Sequence, residues 1–399
     1  MPSAKASLQR SRNTILVPGL LAVACFLPQT FVLPIFVYSF LALSAAYAWV
    51  GLRHAGPAPQ DGPQRFRRET PRIVILLTLL LLAVVKTASI ASLIFLLTSL
   101  SCFVFALLLN TRDWRLKYRA TQGFVMACAA LLLIGVVWLA VAQPLEGLFQ
   151  YSLAQGQFRF RALNLEANHL GFALGAAYVV VLFDPQSYFA RQQGTRRALI
   201  LLIWLMSALT LSPFAMATLV LVSVPFLWRS TVGKVVCVSM LGLALLLIGE
   251  SERVQQILSG EDSSTNFRTW GSLVIGYLQL ENCGPLGCGL GNSRDVLADE
   301  PLMRAFAAQD ILVLPNLLAG AMVEGGYPLL AFALLVVGFA SFPPLERGYR
   351  ASGASVAVFM FLLSFAASGS YPYDAQFWTT TGLLAALVRS GRPPGPRSG

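Results

Sequence analysis

Charged and hydrogen-bonding residues are scarce in this chain, and three groups of them have the types and spacing for chemistry on an anionic substrate. Arg159-Phe160-Arg161 runs shortly ahead of Asn168-His169-Leu170-Gly171, where an apolar helix begins. A helix N-terminus presents free N–H groups and partial positive charge, and guanidinium forks match phosphate oxygens. With Asn168 as N-cap, this stretch reads as an anion site suited to phosphate or diphosphate. Anchorage at lipid headgroups is the other use such arginines have. Arg268, within Thr265-Asn266-Phe267-Arg268-Thr269-Trp270-Gly271, is the second candidate. A lone arginine on an amphipathic helix is, however, more often solvated or snorkelling. The third group is Pro315-Asn316 followed by Glu324-Gly325-Gly326, with Glu324 well inside an apolar run. A carboxylate there is costly and faces either a polar cavity or a structural partner such as an outer-side arginine.

Other chemistries find few residues. Cys283 and Cys288 are the two cysteines outside the apolar runs, in Asn282-Cys283-Gly284-Pro285-Leu286-Gly287-Cys288-Gly289. In an oxidising compartment their spacing permits a small disulfide without requiring one. A zinc site needs further ligands, and no histidine is near. Cys25, Cys102, Cys128 and Cys237 read as small membrane residues, and Gly289-Leu290-Gly291 is a weak glycine motif. His54 falls on the inner side, leaving His169 as the outer histidine, so a metal centre or a Ser-His-Asp arrangement has little support. Neither a metal nor a cofactor is expected.

The elements that must position these groups are helices in a bilayer. The chain has 399 residues, 56% hydrophobic and 12% charged, where a soluble domain carries roughly a quarter charged residues. Mean hydropathy is +0.67. Apolar stretches of 14 to 28 residues separate the charge clusters, near the roughly 20 that a hydrocarbon core demands of a helix. The alternating pattern of a membrane barrel is absent from the sequence. Twelve spans are predicted, at 14–28, 30–51, 72–86, 88–109, 120–141, 168–183, 198–212, 213–228, 232–249, 313–340, 354–368 and 377–388.

Alternating sides from a cytoplasmic N-terminus puts 22 of the 29 basic residues inside, but only 5 of the 18 acidic ones. Lys86, Arg159, Arg161, Arg253, Arg268, Arg294 and Arg304 are left outside. This is the positive-inside pattern, and it places both ends of the chain in the cytoplasm. The formal charge of +11 therefore reflects topology, and no nucleic-acid partner is expected. Lys5, Arg10 and Arg12 before an apolar run ending near Ala22-Val23-Ala24 resemble a secretory signal. Cleavage there would reverse the charge asymmetry of every later loop, so the segment reads as an uncleaved first helix.

Four regions follow. Residues 1–249 carry nine spans, short basic inner loops and an outer segment at 142–167. Residues 250–312 form one large outer loop, 313–388 carry the last three spans, and 389–399 are a tail of disorder-like composition. A loop of that size in a polytopic protein is there for a purpose. Phe267, Trp270, Val274, Tyr277 and Leu278 suit an amphipathic helix on the membrane or against the bundle. A break is expected at 282–292 and a second helix from about Asp295.

Taken in order, these motifs resemble the O-antigen ligase / Wzy-type polysaccharide polymerase family of integral-membrane glycosyltransferases, over most of residues 120–340. Arg161 with Asn168-His169-Leu170-Gly171 is similar to the family's arginine and Asn-x-Leu-Gly helix start. Leu211-Ser212 sits where the family often has a Ser-Arg turn, with Pro213 in place of the arginine. Arg268, a displaced Trp270 and Pro285-Leu286-Gly287-Cys288-Gly289-Leu290-Gly291 resemble its Arg-x-x-x-Trp and Pro-x-x-Gly-x-Gly stretch. Asn316, Leu318-Ala319, Glu324 and Gly326 resemble its His-Asn-x-x-Leu…Glu-x-Gly pattern, with Pro315 replacing the histidine that its ligases carry.

The resemblance implies an all-α membrane protein of the bacterial inner membrane, a C-type glycosyltransferase-like bundle of about twelve transmembrane helices, with one large periplasmic loop and an active site facing the periplasm. It implies metal-independent transfer of a glycan from an undecaprenyl-diphosphate carrier to a sugar hydroxyl. Arg159, Arg161 and Arg268 are then candidates to stabilise the departing diphosphate. Glu166, Asp310 and Glu324 are candidate bases, with His169 as a fallback. Asn168, His169, Trp270 and Asn316 are candidate substrate contacts. Trp270 and Tyr277 have the faces to stack on sugars, although core packing is the commoner use of such aromatics. Partners would be the lipid-linked donor, a glycan acceptor and the bilayer, with a chain-length regulator or flippase as further candidates. Pro315 favours polymerase over ligase. A transporter of lipid-linked sugar is the rival from another class, expected to show broken helices in two related halves.

Overall fold

The computed structural model describes residues 62–108, 114–141, 148–152, 157–162, 167–183, 192–228, 267–298, 314–342 and 353–390, and a few between 230 and 239. Predicted spans 14–28 and 30–51, most of 232–249, the tail beyond Ser390, Glu166 and Asp310 lie outside the described residues. Helices dominate the rest: α1 (Gly62–Ala83), α2 (Ile90–Leu108), α3 (Trp114–Val141), α4 (Ala167–Phe183), α5 (Gln193–Leu209) and α6 (Pro213–Leu227). A π-turn (Phe267–Gly271) then leads into α7 (Ser272–Cys283), followed by α8 (Ser293–Ala298), α9 (Leu317–Ser341), α10 (Gly353–Ser368) and α11 (Ala375–Ser390). Nine of the twelve predicted spans overlap these helices, eight with ends within six residues, whereas α1 starts ten residues ahead of the span predicted at 72–86. By length and composition, two are long and apolar enough to cross a membrane, over Thr121–Trp138 and Leu317–Ser341; the other apolar helices are shorter.

The all-α expectation needs one correction. Within the segment 142–167, expected on the outer side, β1 (Phe149–Ser152) pairs antiparallel with β2 (Gln157–Phe160), Phe149 opposite Phe160 and Gln150 opposite Arg159. Aromatic and polar residues alternate here with the two-residue period of a strand. Phe160 is fully buried, its ring 5.7 Å from that of Phe149.

The chain divides into two compact units. One holds Ser99–Val220 and the chain from Ala375 onward; the other holds Ala55–Thr98 and Leu221–Asp374. In the first, α3, α4 and α5 pack on one another and α11 lies on α4. Helix α4 is buried almost all round, from Leu170 to Val181, as an apolar helix at the centre of a bundle must be. Its last carbonyls lack helical partners. Arg196 supplies them, donating from Nε to Val181 O at 3.2 Å and from Nη2 to Leu182 O at 2.7 Å.

In the second unit, α1, α7 and α10 pack against α9. Small residues allow close approach: a Cβ on Gly276 of α7 would lie 3.0 Å from the Ala319 backbone of α9. Phe267, Ile275, Leu280, Leu297, Leu314, Met322 and Val323 form the shared core. Of the predicted amphipathic stripe, Phe267 is buried, whereas Trp270, Val274 and Tyr277 are exposed. Helix α7 instead buries Ser272, Ile275, Gly276, Gln279 and Leu280. Trp270 and Tyr277 are thus not core residues, contrary to the commoner use of such side chains.

Candidate active site

Helix α9 is broken at its tenth residue. Gly326 takes φ 62 and ψ −150, and Pro328 follows. Two carbonyls lose their helical partners there: Pro328 has no N–H for Glu324 O, and the Tyr327 N–H turns away to Pro285 O at 3.0 Å. The chain between α7 and α8 fills the gap. Cys288 N donates to Val323 O at 2.7 Å and Gly289 N to Glu324 O at 3.0 Å. This segment is the break expected at 282–292, and a disulfide between Cys283 and Cys288 closes it, with Cα atoms 4.9 Å apart. The pairing that the spacing left open is therefore made. Lys86, in the turn between α1 and α2, donates from Nζ to Cys283 O (2.9 Å) and Gly287 O (3.2 Å). Ala88 N and Ser89 N donate to Leu290 O from the same turn. Glycine is obligatory at Gly287, where φ is 70 and a Cβ would lie 2.5 Å from Gly326 N.

The break sets a carboxylate among donors. Glu324 is 2% exposed. Its Oε2 accepts from Tyr373 OH at 2.6 Å and from the Gly291 N–H of the disulfide-closed segment. Ser293, first residue of α8, adds its hydroxyl and backbone N–H. Tyr373 lies in the turn between α10 and α11, where Pro372 packs on Gly320 of α9. Burial, with the Glu324 carboxylate beside it, pushes the Tyr373 hydroxyl well above its ordinary value, and Ser92 of α2 hydrogen-bonds it in turn. Tyr373 is accordingly a donor at any physiological pH. A carboxylate so placed can accept a proton from a hydroxyl brought to it, and its donors fix its orientation.

Asn316 begins the same helix. Its Oδ1 accepts from Leu318 N (3.0 Å) and Ala319 N (3.2 Å) as an N-cap, and its Nδ2 donates to Ala367 O at 2.7 Å. It is fully buried, and these bonds tie α9 to the end of α10. Arg268 lies in the π-turn next to Phe267, which is anchored in the core shared with α9. Trp270, two residues on, is 74% exposed. Arg268, Trp270, Asn316 and Glu324 thus belong to one unit.

The other predicted residues belong to the first unit. Arg159 donates from Nη2 to Asn168 Oδ1 and from Nε to Thr210 O, both at 2.8 Å. The hairpin is thereby clamped to the start of α4 and the end of α5. Helix α4 begins at Ala167, so Asn168 is its second residue rather than the residue before it. Arg161 follows β2, half-buried, with its N–H on Leu148 O at 3.0 Å. His169 is half-buried and its carbonyl accepts from Gln376 of α11 at 3.3 Å.

Sequence reasoning gave no site role to Tyr373, Ser293 or Lys86, and had Gly291 only within a glycine motif. A signal existed for the first: Ser370-Tyr371-Pro372-Tyr373-Asp374 is a polar and aromatic interruption between two apolar runs. Among the described residues no three His, Cys, Asp or Glu side chains come together as metal ligands would. Compared with known proteins, the chain matches no protein-family model and no curated protein.

Proposed function

We propose that the chain is a membrane-embedded glycosyltransferase, with about twelve spans and both ends in the cytoplasm, that polymerises undecaprenyl-diphosphate-linked repeat units on the periplasmic face. The observation that carries this reading is Glu324: a buried carboxylate in a broken apolar helix, oriented by Tyr373, Ser293 and Gly291. Buried charge of this kind is retained where it works. In the proposed reaction the acceptor hydroxyl oxygen bonds to the anomeric carbon and its proton passes to Glu324. The bond from that carbon to the diphosphate oxygen breaks, and the carrier leaves as the diphosphate. Arg268, in the same unit as Glu324, is the proposed counter-charge for that leaving group, while Arg159 holds the Asn168 helix start in shape. Trp270, exposed beside Arg268, is the proposed sugar-stacking residue.

The order of the motifs supports the family, and Pro315 supports polymerase over ligase. One observation favours the transporter reading, the break in α9, since discontinuous helices often bind transported ions. Here, however, the freed carbonyls of Val323 and Glu324 already accept from Cys288 and Gly289.

Surface polysaccharide from a deletion strain, complemented with wild type, Arg268→Ala or Glu324→Gln, tests the proposal. Loss of long chains, with single repeat units still on their acceptor, is the polymerase result. Accumulation of free lipid-linked polymer would indicate the ligase instead. Unchanged polysaccharide in the deletion would overturn both.

A further inference from the structure

The chain from Cys283 to Asn292 does more than connect two helices, because its backbone lies against both the break in α9 and the Glu324 carboxylate. Its N–H groups at Cys288 and Gly289 fill the break beside Glu324. Three residues beyond Cys288, Gly291 N–H reaches the carboxylate itself. Its carbonyls at Cys283, Gly287 and Leu290 are held by the turn carrying Lys86. Five of the residues from Gly284 to Asn292 are Gly or Pro, four of them glycines at positive φ. Such a segment has many conformations open to it when unconstrained.

We propose that this disulfide is a redox-dependent clasp that positions Glu324, so that the site is assembled in the oxidised protein and slackens on reduction. As a role for Glu324 in transfer, this rests on the function proposed above; as a physical coupling between clasp and carboxylate, it does not. Closure removes two electrons and two protons from the Cys283 and Cys288 thiols. The acceptor is the disulfide of a thiol–disulfide oxidoreductase of the outer compartment, which leaves as the dithiol. Reduction by a dithiol, which leaves as its own disulfide, returns two electrons and two protons and frees the ends of the glycine-rich segment, and the Gly291 and Ser293 donors are then no longer fixed on the carboxylate. The disulfide spans a short loop, so the chain-entropy gain from closing it is modest. Its consequence is local.

Two measurements on the full-length protein test the clasp. Thermal melts in lipid nanodiscs compare wild type and Glu324→Gln, each with and without dithiothreitol, thiol state being verified by maleimide gel shift. Bonds to a carboxylate are roughly twice as strong as bonds to a neutral acceptor. Reduction is therefore expected to lower the wild-type melting temperature by more than it lowers that of Glu324→Gln, a coupling that independent sites would not show. Equal shifts in the two proteins, or no shift in wild type, would overturn the clasp whatever the protein's activity. Second, Cys283→Ser/Cys288→Ser is expected to reach the membrane at wild-type level yet give markedly shortened polysaccharide. Full-length polysaccharide from the double variant, in a strain where Glu324→Gln is inactive, would contradict the proposal. A deletion strain with normal polysaccharide would sink the assigned function and leave the melts to decide the clasp.

Discussion

Glu324 and Tyr373 form the pair on which the site turns, and each makes a distinct prediction. Glu324→Gln keeps the shape and removes the charge, so polymer is expected to be lost while membrane levels stay near wild type. Tyr373→Phe removes a hydroxyl that donates at 2.6 Å to a buried carboxylate, a bond of the class worth about 1.5–3 kcal/mol. The melting temperature of the purified protein is expected to fall accordingly. The tyrosine also gives a pH signature. Its folded value is raised by burial and by Glu324, so the stability it contributes is present below the ordinary value of about 10 and is lost as pH rises toward the folded one. Wild type is expected to lose stability between neutral pH and about pH 11 more steeply than Tyr373→Phe. Equal slopes in paired alkaline melts would detach Tyr373 from the carboxylate. Glu324 was legible in the sequence because a charge inside an apolar run stands out. Tyr373 was not, because hydropathy treats a loop tyrosine as neutral and its partner lies 49 positions away.

At the scale of elements, the site depends on one helix that stops and restarts. Asn316 begins α9 and Gly326 breaks it. Asn316→Ala removes the N-cap and the bond to Ala367 together, and is expected to cost about 2 kcal/mol, at the upper end for a cap. Asn316→Asp keeps the cap acceptor but sets a carboxylate oxygen against the Ala367 carbonyl at a buried position, so at neutral pH it is expected to be at least as destabilised as alanine in denaturant or thermal titration. Gly287→Ala places a methyl group against Gly326 at an unfavourable φ, and is expected to weaken the docking of the disulfide segment more than Gly284→Ala, where a Cβ meets nothing. Helix positions followed from apolar runs and charge clusters because bilayer-length hydrophobic stretches are the strongest signal a sequence carries. The hairpin at 149–160 was not seen, since two four-residue strands leave too short an alternation to stand out. The break at Gly326 was written as Gly-Gly-x-Pro but only gains meaning once the Cys283–Cys288 segment is seen to fill it.

For the whole molecule, the account requires opposite faces for the two kinds of loop. Single cysteines introduced at Gly194 and Asn292, in a background lacking the native cysteines, are expected to label differently with a membrane-impermeant maleimide: Asn292 in intact cells, Gly194 only after lysis. The positive-inside pattern of the sequence is the ground for this expectation. Composition did not reveal how the chain divides into two units. The central claim, that this is a glycosyltransferase working through Glu324, is met most directly by purified full-length protein in nanodiscs given undecaprenyl-diphosphate-linked repeat units, with products separated by length. The account predicts a ladder of longer lipid-linked glycans and release of undecaprenyl diphosphate by wild type, and neither by Glu324→Gln assayed well below its own melting temperature. A ladder of equal length and rate from Glu324→Gln, or none from wild type with the native donor, would contradict it.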